Sequence, residues 1–427
     1  MKIYFKTIGC RVNQVETQSI AEKFASLGHA KTPDFNEADA FFLNTCAVTS
    51  KADRDTLNFA GKVSKSKRGA KLIVTGCYAD LFPGRILQIY PEALIFKNDE
   101  KEAIPFKLEN KTAEKDFFSV SGFSDRSRAF VKIQEGCSLK CSYCIVPAAR
   151  PHVGSKPSKN LLKEIRLILE KGYKEIVICG TRLGMYRCPL TGMTLVEIMA
   201  EIFRIPCDFR IRFSSIGAAE LSENLVKVLK DGKAKFCDYF HIPLQSGSDK
   251  VLGDMNRNYD KRYYLDRIEF VRKNFHEPGL FTDVIVGYPT ETEEDFHKTS
   301  EFVENCGFAG LHVFRYSIRP GTGAAGCRQL NGAVVKKRAK TLLQLDKTIR
   351  EKFARSLIGS VQKLVILKNH KTGHIGLTSK FQNVFIPGSY KPGAFVYAVI
   401  EGVDGNVCIG RPITAVNSGK AGSENTQ

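Results

Sequence analysis

Three apolar runs in the first eighty residues, KIYFKTIGC, DAFFLNTC and KLIVTGC, are each about a strand long, and each stops on a cysteine: Cys10, Cys46 and Cys77. Polar stretches of helical period, such as ETQSIAEKFASLG, fill the gaps between them. The cysteines lie 36 and 31 residues apart, the length of one β-α-β unit, so the three strands are predicted to run parallel in one open sheet. Ligands of such sheets bind beyond the carboxyl ends of the strands, where the three thiols can converge on one ligand. Taken singly, each reads equally well as a small buried hydrophobe.

A linker rich in Lys, Glu, Ser and Phe over 107–128 precedes a second β/α alternation. Its six strand patterns are AFVKIQEGC, EIVICG, FRIRFSSI, DYFHIPLQ, LFTDVIVG and LHVFRYS, with helical stretches between. This predicts a partial (β/α)6 barrel whose active residues sit at the carboxyl ends of its strands. A basic helix over 334–356 follows, and then short β-rich runs separated by Gly, Pro and Asn, which predict a small β-barrel of about five strands. The fold class is therefore α/β, divided as an N-terminal sheet domain (1–115), a barrel domain (123–355), a small β-barrel (356–416) and a disordered tail (417–427).

The chain carries 64 Lys and Arg against 45 Asp and Glu, a formal charge of +19, which favours a polyanionic partner such as RNA over an acidic or uncharged one. No apolar run approaches the roughly 20 residues that a membrane span needs, so a cytoplasmic protein without membrane association is expected. In a reducing compartment the 13 cysteines argue against a disulfide framework. The clustered ones read as metal ligands, and Cys179, Cys188, Cys207, Cys237, Cys306, Cys327 and Cys408, which show no clustering, as core filler.

The densest cluster is EGCSLKCSYCIVP, with Cys137, Cys141 and Cys144 after the first barrel strand. Three thiolates at offsets of four and three suit three corners of a cubane iron-sulfur cluster, leaving one iron open. A structural zinc with His152 as fourth ligand is the alternative. The C-x-x-x-C-x-x-C spacing, with Tyr143 before the third cysteine, resembles the radical S-adenosylmethionine superfamily. The whole chain to about residue 415 is similar to the methylthiotransferases, with a three-cysteine N-terminal domain, a radical barrel and a C-terminal RNA-binding TRAM domain. The segments GCRVNQVET, LNTC, VTGCYA, KIQEGC, HIPLQSGS, TDVIVGYPTET and LHVFRYS look like the MtaB-like branch, which acts on N6-threonylcarbamoyladenosine in tRNA. Arg11-Val12-Asn13 fits neither the isopentenyladenosine branch nor the ribosomal-protein aspartate branch, and Pro151, Arg182, Leu183, Arg315 and Gly323 depart from the expected pattern.

The resemblance implies two 4Fe-4S clusters. Cys137, Cys141 and Cys144 would hold the one whose open iron binds S-adenosylmethionine, and Cys10, Cys46 and Cys77 the one that carries sulfur. It implies cofactor contacts from the strand-end residues Gly180, Thr181, Arg212, Ser214, Ser215, Gln245, Val286 and Gly287, with no catalytic side chain beyond the clusters. It also implies RNA contacts from the basic and aromatic residues of the small barrel, Lys363, Lys368, Lys380, Phe381, Lys391 and Arg411, although the aromatics could equally fill a small core. The expected partners are a tRNA anticodon loop and an electron donor of flavodoxin or ferredoxin type. His241 reads as a satisfied core histidine, and a zinc-containing RNA-binding protein without catalysis stays open as the distant alternative.

Overall fold

A computed structural model describes residues 1–67, 69–112, 117–123, 126–370 and 372–413. Lys371 and the tail 417–427 lie outside the described residues. The first sheet is wholly parallel, built from β1 (Lys2–Thr7), β2 (Ala30–Thr32), β3 (Ala40–Thr45), β4 (Lys71–Gly76) and β5 (Leu94–Ile95) in the order β2-β1-β3-β4-β5. All six residues of β3 are buried. Phe41 and Leu43 enter one apolar cluster and Ala40 and Phe42 another, as a strand covered on both faces requires.

The second unit holds six parallel strands, β6 (Ala129–Glu135), β8 (Glu175–Gly180), β9 (Arg210–Phe213), β10 (Tyr239–His241), β11 (Gly279–Val286) and β12 (Gly310–Arg315), while the two-residue β7 (Gly154–Ser155) pairs antiparallel with β6. They lie in two sheets, β7-β6-β8-β9 and β10-β11-β12, and the bridge Ile211 to Phe236 joins the gap. The expected six-strand partial barrel is therefore split along one seam. Val12 and Val15 of helix Arg11–Ser26 enter the barrel's own core, so the two units share packed side chains.

Helix Gly332–Ser356, capped by Asn331, runs from β12 to the closing barrel of β13 (Val361–His370), β14 (Gly373–Leu377), β15 (Asn383–Pro387), β16 (Phe395–Asp404) and β17 (Val407–Ile413). This small barrel sits against the amino-terminal ends of the large barrel's strands. A Cβ on Gly279, the first residue of β11, would lie 2.1 Å from the carbonyl oxygen of Lys380. Buried Glu175 there gathers Arg128, Arg210 and Arg212 at 3.1, 2.7 and 2.9 Å. Arg210 and Arg212 also donate to the carbonyls of Lys363, Leu377, Thr378 and Ser379.

Candidate active site

A Gly-Cys dipeptide stands at or just past the ends of β1, β4 and β6, and in each case the glycine takes a positive φ: Gly9 at 107°, Gly76 at 101° and Gly136 at 77°. Space as well as φ requires glycine here. A Cβ on Gly76 would lie 2.3 Å from the Thr45 carbonyl oxygen, and one on Gly136 the same distance from that of His152. The bend turns each following cysteine off its strand end.

Cys10, Cys46 and Cys77 line one cavity of about 400 Å³. Asn13, one helical turn past Cys10, fastens the bend: its Nδ2 donates to the carbonyls of Ile8 and Thr45, both at 2.9 Å, and its Oδ1 accepts from Arg150 at 2.9 Å. Burial and the neighbouring thiols push Cys46 up to about 12. Behind this site Glu16 is fully buried and accepts from Lys101, Lys132 and Arg150, each at 2.7 Å. Burial alone would raise its pKa, but the three cations outweigh it and hold the carboxyl well below its ordinary range. Lys132 lies on β6 and Arg150 just after the second cysteine set, so this network ties the two sites together.

Cys137, Cys141 and Cys144 occupy one loop, which is pinned from the far side of the barrel. Ser142 N–H donates to Met255 O at 3.1 Å, Asn256 donates to Lys140 O at 2.7 Å, and Ala324 N–H to Ser142 O at 2.8 Å. Arg257, lying over the Tyr259 ring, donates to Cys141 Sγ at 3.2 Å. Cys144 lines a second cavity, of about 180 Å³, with Tyr143, Gln245, Asp283 and Arg315. Val48 and Val146 belong to the walls of both cavities, so the two sites adjoin.

Of the strand-end residues expected to meet cofactor, Gln245 lines the Cys144 cavity, and its φ of 79° is a strained value for a side chain of this size. Gly180, Thr181, Ser214 and Ser215 line the cavity of Cys10, Cys46 and Cys77 instead. Three others belong to neither. Arg212 is consumed by Glu175 and the small barrel, Val286 is fully buried, and Gly287 packs against Val335 while its N–H serves Glu291. His152 is exposed and lines a cavity with Asp80 and Glu135 to which none of the cysteines contributes, and it joins no close group of metal-type ligand atoms with them among the described residues.

The expected RNA residues divide in the same way. Phe381 packs on Tyr239 and Phe281 with ring centres 4.7 and 5.6 Å away, plugging the foot of the large barrel rather than offering a stacking face. Lys380 pairs with Glu277, Lys363 with Asp208, and Arg411 with Glu401. Lys368 and Lys391 line a cavity of about 650 Å³ with Arg126 and Lys171, and among the described residues no acidic one lines it.

Cys179, read as core filler, is buried in the large barrel's core, and it also lines the cavity of Cys10, Cys46 and Cys77; burial pushes its thiol up to about 12. Sequence reasoning left His241 in the core. His241 instead lines that cavity and bonds Asp283 at 2.7 Å, and Asp283 bonds His312 at 3.1 Å. Among the described residues, these three are the one group whose metal-type ligand atoms all come within 4.8 Å of one another. Neither cysteine triplet is drawn that tight, whereas the thiolates of a tetrahedral zinc site stand only about 3.8 Å apart.

The model of the radical SAM superfamily matches residues 131–303, and that of the uncharacterized protein family UPF0004 matches residues 2–97. The chain is 33% identical to the threonylcarbamoyladenosine tRNA methylthiotransferase MtaB of Thermotoga maritima, over 85% of this chain and 86% of that one. It is 30% identical to the MtaB of Aquifex aeolicus, over 94% and 100%. It is also 31% identical to the tRNA-2-methylthio-N(6)-dimethylallyladenosine synthase of Thermodesulfovibrio yellowstonii, over 92% and 94%. Among solved structures, the radical S-adenosylmethionine methyltransferase TsrM of Kitasatospora setae shares the fold, with a TM-score of 0.59 at 11% identity over 88% of this chain and 80% of that one.

Proposed function

The chain belongs to the radical S-adenosylmethionine methylthiotransferase family, and on that premise we propose that it inserts a methylthio group at C2 of N6-threonylcarbamoyladenosine beside a tRNA anticodon. The observation that carries this reading is the pair of adjoining cavities, one lined by Cys10, Cys46 and Cys77 and the other by Cys144, whose neighbours are Cys141 and Cys137. Family membership implies a 4Fe-4S cluster and S-adenosylmethionine. The donor sets fit clusters better than a bare ion, being all thiol, three in number and more widely spread than zinc ligands. Cys137, Cys141 and Cys144 would hold the first cluster, and Cys10, Cys46 and Cys77 a second.

When bound, such a cluster and S-adenosylmethionine supply one-electron chemistry, which adenine C2–H demands because it has no useful acidity for a general base. The chain's own residues hold and shield. Arg257 fixes Cys141, the strained Gln245 faces the Cys144 cavity, and the Glu16 network keeps the two cysteine sets in register. The shared wall of Val48 and Val146 leaves a bound base little distance to travel. Lys368, Lys391, Arg126 and Lys171 form a basic notch suited to an RNA backbone. The electron is expected from a flavodoxin- or ferredoxin-type donor, and the site of action is the cytoplasm. Among the described residues no helix is long and apolar enough to cross a membrane.

Nucleoside mass spectrometry of tRNA from cells with and without the gene tests the substrate. Loss of the methylthio form of threonylcarbamoyladenosine alone is expected in the deletion. Loss of the dimethylallyladenosine form instead would contradict the reading.

A further inference from the structure

His241, Asp283 and His312 come from three neighbouring parallel strands, and Asp283 and His312 are register partners. They form a polar partition between the two cavities: the imidazoles line that of Cys10, Cys46 and Cys77, and Asp283 lines that of Cys144. One carboxylate oxygen, Oδ1, receives both rings, from Nε2 of His241 and Nδ1 of His312. An ionised carboxylate only accepts, so each imidazole must direct its N–H at Asp283 and keep its other nitrogen for a ligand.

Nearby, Ser214 is nine-tenths buried and lines the same cavity, and its Oγ has no hydrogen-bond partner among the described residues. Arg315, exposed beside the Cys144 cavity, makes no ion pair among the described residues. Separations of 2.7 and 3.1 Å are hydrogen-bond lengths, whereas ligands of a tetrahedral zinc would stand about 3.3 Å apart, so a metal is the weaker reading of the group.

We propose that His241, Asp283 and His312 read the N6 substituent of the substrate adenosine, accepting a polar, carboxylate-bearing threonylcarbamoyl group and rejecting an apolar dimethylallyl group. The inference rests on the threonylcarbamoyladenosine reading above. A threonylcarbamoyl group brings N–H donors to the free imidazole nitrogens, a partner for Ser214, and a carboxylate for Arg315. A dimethylallyl group brings none, and leaves these polar groups, Ser214 and His241 the most buried of them, without partners after it has displaced their water. The triad acts by positioning the substrate.

The test is binding of anticodon stem-loop hairpins to the full-length protein, loaded with its clusters and kept anaerobic, followed by fluorescence anisotropy. The hairpins carry threonylcarbamoyladenosine, dimethylallyladenosine or plain adenosine. The wild type is expected to favour the threonylcarbamoyl hairpin over the dimethylallyl one by at least about tenfold. His312→Leu and Asp283→Asn should each remove most of that preference while binding of the plain hairpin stays within about twofold, and His312→Gln should restore part of it. His312 is partly exposed, so its substitution leaves the barrel core intact and keeps the test readable should Asp283→Asn misfold. A wild-type preference that survives His312→Leu overturns the triad's role alone. A wild-type preference for the dimethylallyl hairpin overturns the substrate reading as well.

Discussion

The two cysteine sets are alike in number and opposite in construction. Cys137, Cys141 and Cys144 lie in one loop and owe their spacing to sequence, with Met255, Asn256, Arg257 and Ala324 steadying the loop from outside. Cys10, Cys46 and Cys77 follow three different strands and meet only if the first sheet forms in register. A local site tolerates distant damage, whereas an assembled one reports on the whole sheet. The buried Glu16 network, which reaches from the helix after Cys10 to the segment after Cys144, makes the second kind depend on the first.

The largest effects separate the two sets directly. Cys141→Ala is expected to abolish both cleavage of S-adenosylmethionine to 5′-deoxyadenosine and methylthiolation of tRNA. Cys46→Ala should retain the cleavage and lose the methylthio product. Chromatography of both products from anaerobic assays distinguishes these outcomes, and equal loss of both activities in the two variants would break the division of labour.

Next in size is the coupling between the sets. Glu16→Gln leaves Lys101, Lys132 and Arg150 facing one another with less negative charge among them, and is expected to cost about 3 to 5 kcal/mol in denaturant unfolding. The same carboxyl predicts the acid response. Its folded pKa is depressed, as is that of Asp283, which stands at about 2 because its bonds to His241 and His312 overcome the cost of burial. Such groups contribute stability that is complete above the unfolded carboxyl value of about 4 and is lost as pH falls toward the folded value. Unfolding midpoints should be level from pH 7 to 5 and fall steeply from pH 4 to 2, and an undiminished midpoint at pH 3 would count against this account.

Smaller effects come from the small barrel, whose two faces differ. Phe381→Ala empties part of the foot of the large barrel. Because that ring is only partly buried, the expected cost is about 2 kcal/mol, below the 3 to 5 typical of a full core, and proteolysis should then free the small barrel more readily. Charge reversal at Lys368 and Lys391 should leave stability unchanged and weaken tRNA binding, reducing the salt slope of log K by about 1 to 2. Unaltered salt dependence would show that RNA passes elsewhere.

This contrast also marks what the sequence could reveal. A strand that stops on a cysteine, repeated at the interval of a β-α-β unit, and three cysteines in one loop are local patterns, and both sets were proposed from them. The registers of parallel strands are not. His241, Asp283 and His312 meet across separations of 42 and 29 residues, and no feature of any one segment announces the others. Arg212 and Phe381 were misplaced for the same reason. An arginine in a strand looks alike whether it faces a cofactor or a buried Glu175, and an aromatic ring in a turn beside a lysine looks alike whether it faces RNA or the foot of a barrel. Cys179 was set apart because it is solitary in sequence, although its strand ends beside Cys10.

The central claim is that two thiol sets hold two clusters, and iron and acid-labile sulfide analysis of the anaerobically reconstituted protein tests it most directly. The expected result is about eight irons per chain in the wild type and about four in each of two variants, one with Cys10, Cys46 and Cys77 changed to Ala and one with Cys137, Cys141 and Cys144 changed to Ala. About four irons in the wild type, unchanged when Cys10, Cys46 and Cys77 are replaced, would contradict it, as would zinc in place of iron.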